Sequence, residues 1–308
     1  MFNRHLASAR AALFGLALLL PTGAPALAQN GGALPSVPLA EGTGPALWVV
    51  RDADSTLYLF GTIHMMRPDT AWRTGRVDEA FDSASQLILE VVSPDDQATL
   101  TSLIREHGIS PDRPLSSLLP PEYLARLDVV ARTLGGSAAQ MDSMRPWLAG
   151  VNIESAAIIS AGYDPRSGVE PILKARALAA GMTVSGFETP EDQILMLAGF
   201  PEDGQLAYLR ASLDAFGEAQ TQLDQLVEAW VAGDTGRIRA LAVDPLRATP
   251  VVYERLLVRR NTDWADQIQT LLEGSGTVFI AVGSMHLTGD DSVQQILLER
   301  GVEVSIAP

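Results

Sequence analysis

The sequence predicts an α/β protein: a central mixed sheet flanked by helices, with a largely helical block inserted in its middle. Strand-like and helix-like patterns alternate at both ends of the chain, and the stretch between them is mostly helical. Two apolar runs, 87–92 and 277–282, have the character of central strands covered on both faces.

Residues 46–50 and 56–60 are short apolar strands flanking Arg51-Asp-Ala-Asp-Ser55, a hairpin turn. The second strand runs straight into Gly61-Thr-Ile-His64. Residues 77–84 have a helical pattern, and 86–92 form a buried strand with one carboxylate, Glu90, set into it. Ser93-Pro-Asp-Asp-Gln97 opens a helix, with Ser93 as cap and Pro94 in the first turn. Helices continue over 120–134 and 146–160, then over 169–180, closed by Gly181. Residues 183–188 are a short strand, and Thr189-Pro-Glu-Asp-Gln193 repeats the cap-plus-proline opening. One long polar-faced helical stretch is expected over 203–232. After 253–272, the strand 277–282 leads into Gly283-Ser-Met-His286, a helix covers 290–300, and 302–306 is the last strand.

The first 28 residues have the pattern of a cleaved export signal. Arg4, His5 and Arg10 make a basic start, 11–20 is apolar, and Ala26-Leu-Ala28 is a small-x-small cleavage site. The apolar run is short for a membrane span, so cleavage after Ala28 leaves no stable anchor, and the product is expected in the periplasm or secreted. Residues 29–45 are rich in Gly, Pro and Ala and are expected to be a flexible lead-in to a single α/β domain over 46–308.

Composition removes several classes. The formal charge is −15, with no basic cluster to offset it, which argues against nucleic-acid binding. There is no cysteine, so thiol nucleophiles, cysteine–zinc sites and iron–sulfur clusters are excluded. The nucleophile elbow, the His-Glu-x-x-His helix, the phosphate-binding loop and the dinucleotide fingerprint are all missing.

What remains is a pair of histidines. Past the signal region only His64, His107 and His286 occur. His107 sits at an expected helix end, in a solvated structural role. His64 and His286 share one context: apolar strand, Gly, a hydroxyl residue, an apolar residue, His. In open α/β sheets ligands bind beyond the carboxyl ends of strands, and glycine there permits close approach. The two histidines are therefore expected on neighbouring strand ends, in one site. Glu90 is the carboxylate expected to join them, because an ionised group inside an apolar strand needs a strong partner. Glu170 and Glu188 are further candidates; both also suit a helix start. Arg260 and Asn261 suit either a clamp on a substrate carboxylate or, for Asn261, a helix cap.

Taken in order, Leu59-Phe-Gly-Thr-Ile-His-Met65, Leu87-Ile-Leu-Glu90, Arg145-Pro-Trp147, Gly168-Val-Glu170, Phe187-Glu-Thr-Pro-Glu-Asp-Gln193, Arg260-Asn-Thr-Asp-Trp264 and Ala281-Val-Gly-Ser-Met-His-Leu287 resemble the TraB/PrgY/GumN family. Through it they resemble the Tiki proteins, membrane-tethered metal-dependent proteases. The resemblance implies a fold related to the erythromycin esterases, with His64, Glu90 and His286 as the site. It also implies a divalent metal (manganese, cobalt or zinc) held by those three residues. One departure is Glu170, where the family commonly has Asp. The resulting expectation is a periplasmic hydrolase cleaving a peptide or small ester substrate. Either a metal lowers the pKa of a bound water, or one histidine acts as general base with Glu90 orienting it. The rival expectation is a non-catalytic periplasmic module binding a peptide, saccharide or metal in the same cleft.

Overall fold

A computed structural model describes residues 36–92 and 97–308. The expected signal peptide and the expected helix opening over 93–96 lie outside the described residues. Six strands form one sheet: β1 (Leu47–Arg51), β2 (Ser55–Thr62), β3 (Gln86–Val91), β4 (Thr183–Glu188), β5 (Gly276–Gly283) and β6 (Val304–Ile306). Their spatial order is β4-β3-β5-β2-β1-β6. β4, β3, β5 and β2 run parallel, while β1 is antiparallel to both β2 and β6, so the sheet is mixed as expected.

The two apolar runs occupy the sheet interior because both their faces are covered. Along β5, Phe279 and Ala281 enter one core with Phe60, Trp72, Phe81 and Trp230. Val278, Ile280 and Val282 enter a second core with Trp264, Ile268 and Leu297. β3 alternates likewise, Leu87 and Leu89 on the first face and Ile88 on the second. That alternation is the period of two of a pleated strand. It turns Glu90 to the side of Ile88, where the helix Arg259–Leu272 packs.

The block between β3 and β5 is helical apart from β4, as expected. The helical stretch expected over 203–232 consists of two helices, Glu202–Ala215 and Ala219–Val231, separated by the 3-10 turn Phe216–Glu218. Gly217 in that turn is a poor helix former. Before β5 the chain passes from Pro250–Tyr253 through a π-helical turn, Glu254–Val258, into Arg259–Leu272 without interruption. Arg260 and Asn261 therefore sit inside a continuous helical segment rather than opening one. The lead-in is tied down at its later end: Ala40 N–H donates to Arg73 O at 2.7 Å, and Arg76 donates to the carbonyls of Thr43 and Pro45. Folded structure thus begins before residue 46, because the Arg73 carbonyl accepts from, and the Arg76 guanidinium donates to, backbone that has no ladder of its own. Among the described residues no helix is long and apolar enough to cross a membrane.

Candidate functional site

The four parallel strands end at the same edge, and each delivers a group there. Thr62 pairs with Gly283 across β2 and β5, and Val91 pairs with Glu188 across β3 and β4. His64 and His286 therefore emerge from adjacent strand ends. Gly283 is the point where they meet. A β-carbon placed on it would lie 2.8 Å from Glu90 Oε1, 3.5 Å from His64 Nε2 and 3.6 Å from His286 Cδ2. The absence of a side chain at 283 is what leaves room for the three groups around one position. Gly283 N–H also donates to Glu90 Oε1 at 2.6 Å.

His64 is backed by a carboxylate. Its Nδ1 lies 2.6 Å from Glu170 Oε1, and Thr62 Oγ1 donates to the same oxygen. Glu170 stands in the first turn of the helix Val169–Ala179, where a carboxylate complements the helix dipole. The contact depends on close approach: a β-carbon on Gly168 would fall 2.0 Å from His64 O. Val169 N–H donates to Ile63 O, clamping the helix start to the loop after β2. Burial pulls the His64 pKa down, but the charge and hydrogen bond of Glu170, helped by Glu90, outweigh it and hold the imidazole at about 9. Its Nε2, the nitrogen left free, faces Gly283.

His286 has the opposite surroundings. Asn261 Nδ2 donates to Asp291 O at 2.6 Å, which turns Asn261 Oδ1 toward His286 Nδ1 at 2.5 Å. An acceptor there fixes the proton on Nδ1 and leaves Nε2 as a lone pair. Arg260 Nη1 donates to that lone pair at 3.0 Å. Burial first, then the Arg260 charge, push the His286 pKa down to about 3, so the ring is neutral. Trp264 packs on it with ring centroids 4.4 Å apart.

Arg260 is enclosed. Its Nε donates to Glu188 Oε1 at 2.6 Å, and Nη2 donates to Glu188 Oε2 at 3.0 Å and to Glu90 Oε2 at 2.8 Å. Nη1 serves His286 and, at 3.2 Å, Leu256 O, a carbonyl of the π-helical turn. Five N–H groups thus meet five acceptors. Burial pushes Glu90 up, but Arg260 chiefly, with the Gly283 N–H among the lesser contributors, brings it to about 2. Glu188 is raised, burial there exceeding the help from Arg260.

The set expected from the sequence is therefore brought together, and the roles divide. Glu170 orients His64. Glu188 and Glu90 hold Arg260, and Asn261 holds His286 rather than capping a helix. The donors of Arg260 and of Asn261 are engaged by the protein itself. Exposure separates the two histidines: the His64 side chain is 21% exposed, that of His286 6%. His107, at the end of Gln97–Gly108, stands apart from this set. Thr62, Gly168 and Trp264 were not singled out individually from the sequence. Each has a signal in hindsight: a hydroxyl inside the Gly-x-x-His segment, a glycine two residues before Glu170, and an aromatic one helical turn after Arg260.

The ligand set implied by the resemblance can be tested on donor atoms. His64 Nε2 is free, but His286 Nε2 and Glu90 Oε2 are directed at a guanidinium. Among the described residues no group of three His, Cys, Asp or Glu side chains is arranged to hold a metal ion. As they stand, His64, Glu90 and His286 do not fit a divalent ion.

The model of the TraB/PrgY/gumN family matches residues 46–306, which contain every residue of this site. The chain belongs to that family. An uncharacterized protein of Treponema pallidum (strain Nichols) is 26% identical, over 92% of this chain and 88% of its own length. Uncharacterized proteins YbaP of Escherichia coli (strain K12) and of Shigella flexneri are each 23% identical, over 83% of this chain and 92% of theirs. No solved structure matches the chain.

Proposed function

We propose that this TraB/PrgY/gumN member is a periplasmic hydrolase that cleaves a peptide or ester bond by acid–base chemistry centred on His64. The observation that carries this reading is the carboxylate-backed imidazole whose free Nε2 faces the strand end where Glu90 also points. An orienting carboxylate on one ring nitrogen and an open position at the other is the arrangement a proton-transferring histidine needs. At neutral pH His64 carries its proton and Glu90 is ionised. Two groups with pKa values driven apart make an acid and a base. The oxygen of an attacking water bonds to the carbonyl carbon and gives a proton to Glu90. His64 Nε2–H passes its proton to the departing amine or alcohol, and Glu90 then returns one to His64. A carboxylate held near 2 is a weak base, so the acid arm carries the larger share. Export rests on the basic, apolar and small-x-small pattern of residues 1–28.

The test is turnover by the exported protein of fluorogenic peptides and p-nitrophenyl esters, with His64→Ala alongside. The expected result is hydrolysis in the native protein and a loss of roughly 10^2–10^4-fold in the variant. Equal turnover by both, or binding of peptide without turnover by either, would sink the proposal. N-terminal sequencing of the exported chain checks the compartment: Ala28 removed is expected, and Met1 retained on membrane-bound protein contradicts it.

A further inference from the structure

We propose that the Arg260 guanidinium is the resident cation of this site, occupying the position a divalent metal would take, and that the protein works without one.

The atoms Arg260 touches are a metal's donor set in kind. Two carboxylates, Glu90 and Glu188, and one imidazole lone pair, His286 Nε2, converge on it within 2.6–3.0 Å. Carboxylate and imidazole ligands suit divalent first-row metals. Here the same donors surround a planar monocation whose five N–H groups are all used. A metal approaching His286 Nε2 and Glu90 would have to expel the guanidinium. It would also have to leave that buried charge without its two carboxylates. The side chain cannot swing out easily, because it lies over Trp264 at 4.7 Å and is pinned by the Leu256 carbonyl.

The arrangement also explains the tautomer of His286. A histidine that ligates through Nε2 needs its lone pair free, and here that lone pair accepts from Arg260 while Asn261 holds the opposite proton. The inference concerns metal binding directly and does not depend on the hydrolase reading. A guanidinium is not a Lewis acid for water, so any water activated here is activated by a side chain.

The experiment is titration of the native protein and of Arg260→Ala with Co2+ alone and Mn2+ alone. Binding is followed by calorimetry, by the visible spectrum for Co2+ and by electron paramagnetic resonance for Mn2+. The native protein is expected to bind neither stoichiometrically. Arg260→Ala, which vacates the cage, is expected to take up about one equivalent of Co2+ at least tenfold more tightly than native, with the gain lost in Arg260→Ala/Glu188→Gln. Arg260→Lys, which restores a cation, should again refuse metal. One equivalent bound by the native protein, with affinity lost on Glu90→Gln, would overturn the inference. That arm holds even if Arg260→Ala fails to fold. No metal gain in a folded Arg260→Ala would overturn it as well, because the cage would then not be a ligand set.

Discussion

The two Gly-x-x-His segments are nearly the same in sequence and opposite in chemistry. His64 is partly exposed, backed by a carboxylate and held protonated; His286 is buried, backed by an amide and held neutral. The strand-Gly-x-x-His pattern brings both rings to one rim. Partners far away in sequence, Glu170 for one and Asn261 with Arg260 for the other, decide what each ring does there. A motif therefore specifies position, and its ionisation state is written elsewhere in the chain.

The contrast is sharpest where one histidine is removed at a time. His64→Ala should lower turnover by roughly 10^2–10^4-fold, the usual range for a general acid or base, while leaving a cooperative melt. His286→Ala should chiefly cost stability, because it leaves one N–H of Arg260 Nη1 and the Asn261 Oδ1 without partners. About 2–5 kcal/mol is expected from the unsatisfied groups and the cavity. Denaturant titration and initial rates on both variants check this, and the comparison breaks if the two effects are interchanged.

Glu90→Gln is expected to cost about 2–3 kcal/mol, the value of a hydrogen bond to a charged group. This is less than the loss of an isolated buried pair, because Glu188 still holds Arg260 and the glutamine oxygen still accepts from Gly283. A variant as stable as the native protein would show that the Glu90–Arg260 contact contributes nothing.

The two histidines should impose opposite limbs on the pH dependence of stability, meeting near 6.5. His64 is raised on folding, so its contribution is complete below the unfolded value of about 6.5 and is lost as pH climbs to about 9. His286 is depressed, so its contribution is complete above about 6.5 and is lost as pH falls toward 3. From pH 6.5 to 8 the His64 share amounts to about 2 kcal/mol. Thermal melts across pH should show His64→Ala reducing the alkaline limb, to which the raised carboxyl of Glu154 also contributes, and leaving the acid limb unchanged; loss of both limbs would contradict the assignment.

The smallest effect tests the origin of the His64 proton. Glu170→Gln keeps shape but removes the charge, so the alkaline limb of the rate profile should move from about 9 toward 6.5. At pH 7.5 that is about a tenfold loss of rate for a proton donor. An unmoved limb would mean that Glu170 does not set it.

Much of this site was legible from residue type and place. Glu90 stood out as a charge inside Leu87-Ile-Leu-Glu-Val-Val92, and the histidines through their shared context. The strands were legible because period-two patterns and apolar runs are local. The assignment of partners was not. Whether Glu170 meets His64 or a substrate depends on how closely the loop at Gly168 approaches β2, a tertiary distance. The reading of Asn261 as a possible helix cap failed for a similar reason: the π-helical turn before Arg259 continues the helix backward, and Glu254–Val258 carries no glycine or proline to announce a change of winding. The break at Phe216–Glu218 within the expected helical stretch had no clear local signal, because a single glycine in a helical pattern is often tolerated.

The order of strands in the sheet has a consequence in time. β5 is the fifth strand made, yet it lies between β2 and β3 and pairs with both. Until residues 276–283 arrive, the two halves of the parallel sheet have no edge to share, and His64 and Glu90 have neither Gly283 nor His286 beside them. Pairing over such separations is slow, because loop closure must precede the contacts that reward it. The reactive centre is accordingly among the last features to form. A chain caught part-way through synthesis or refolding already carries the segment that bears His64 and lacks the rest of the site, so a hydrolase of the kind proposed would be harmless to its surroundings until it is whole.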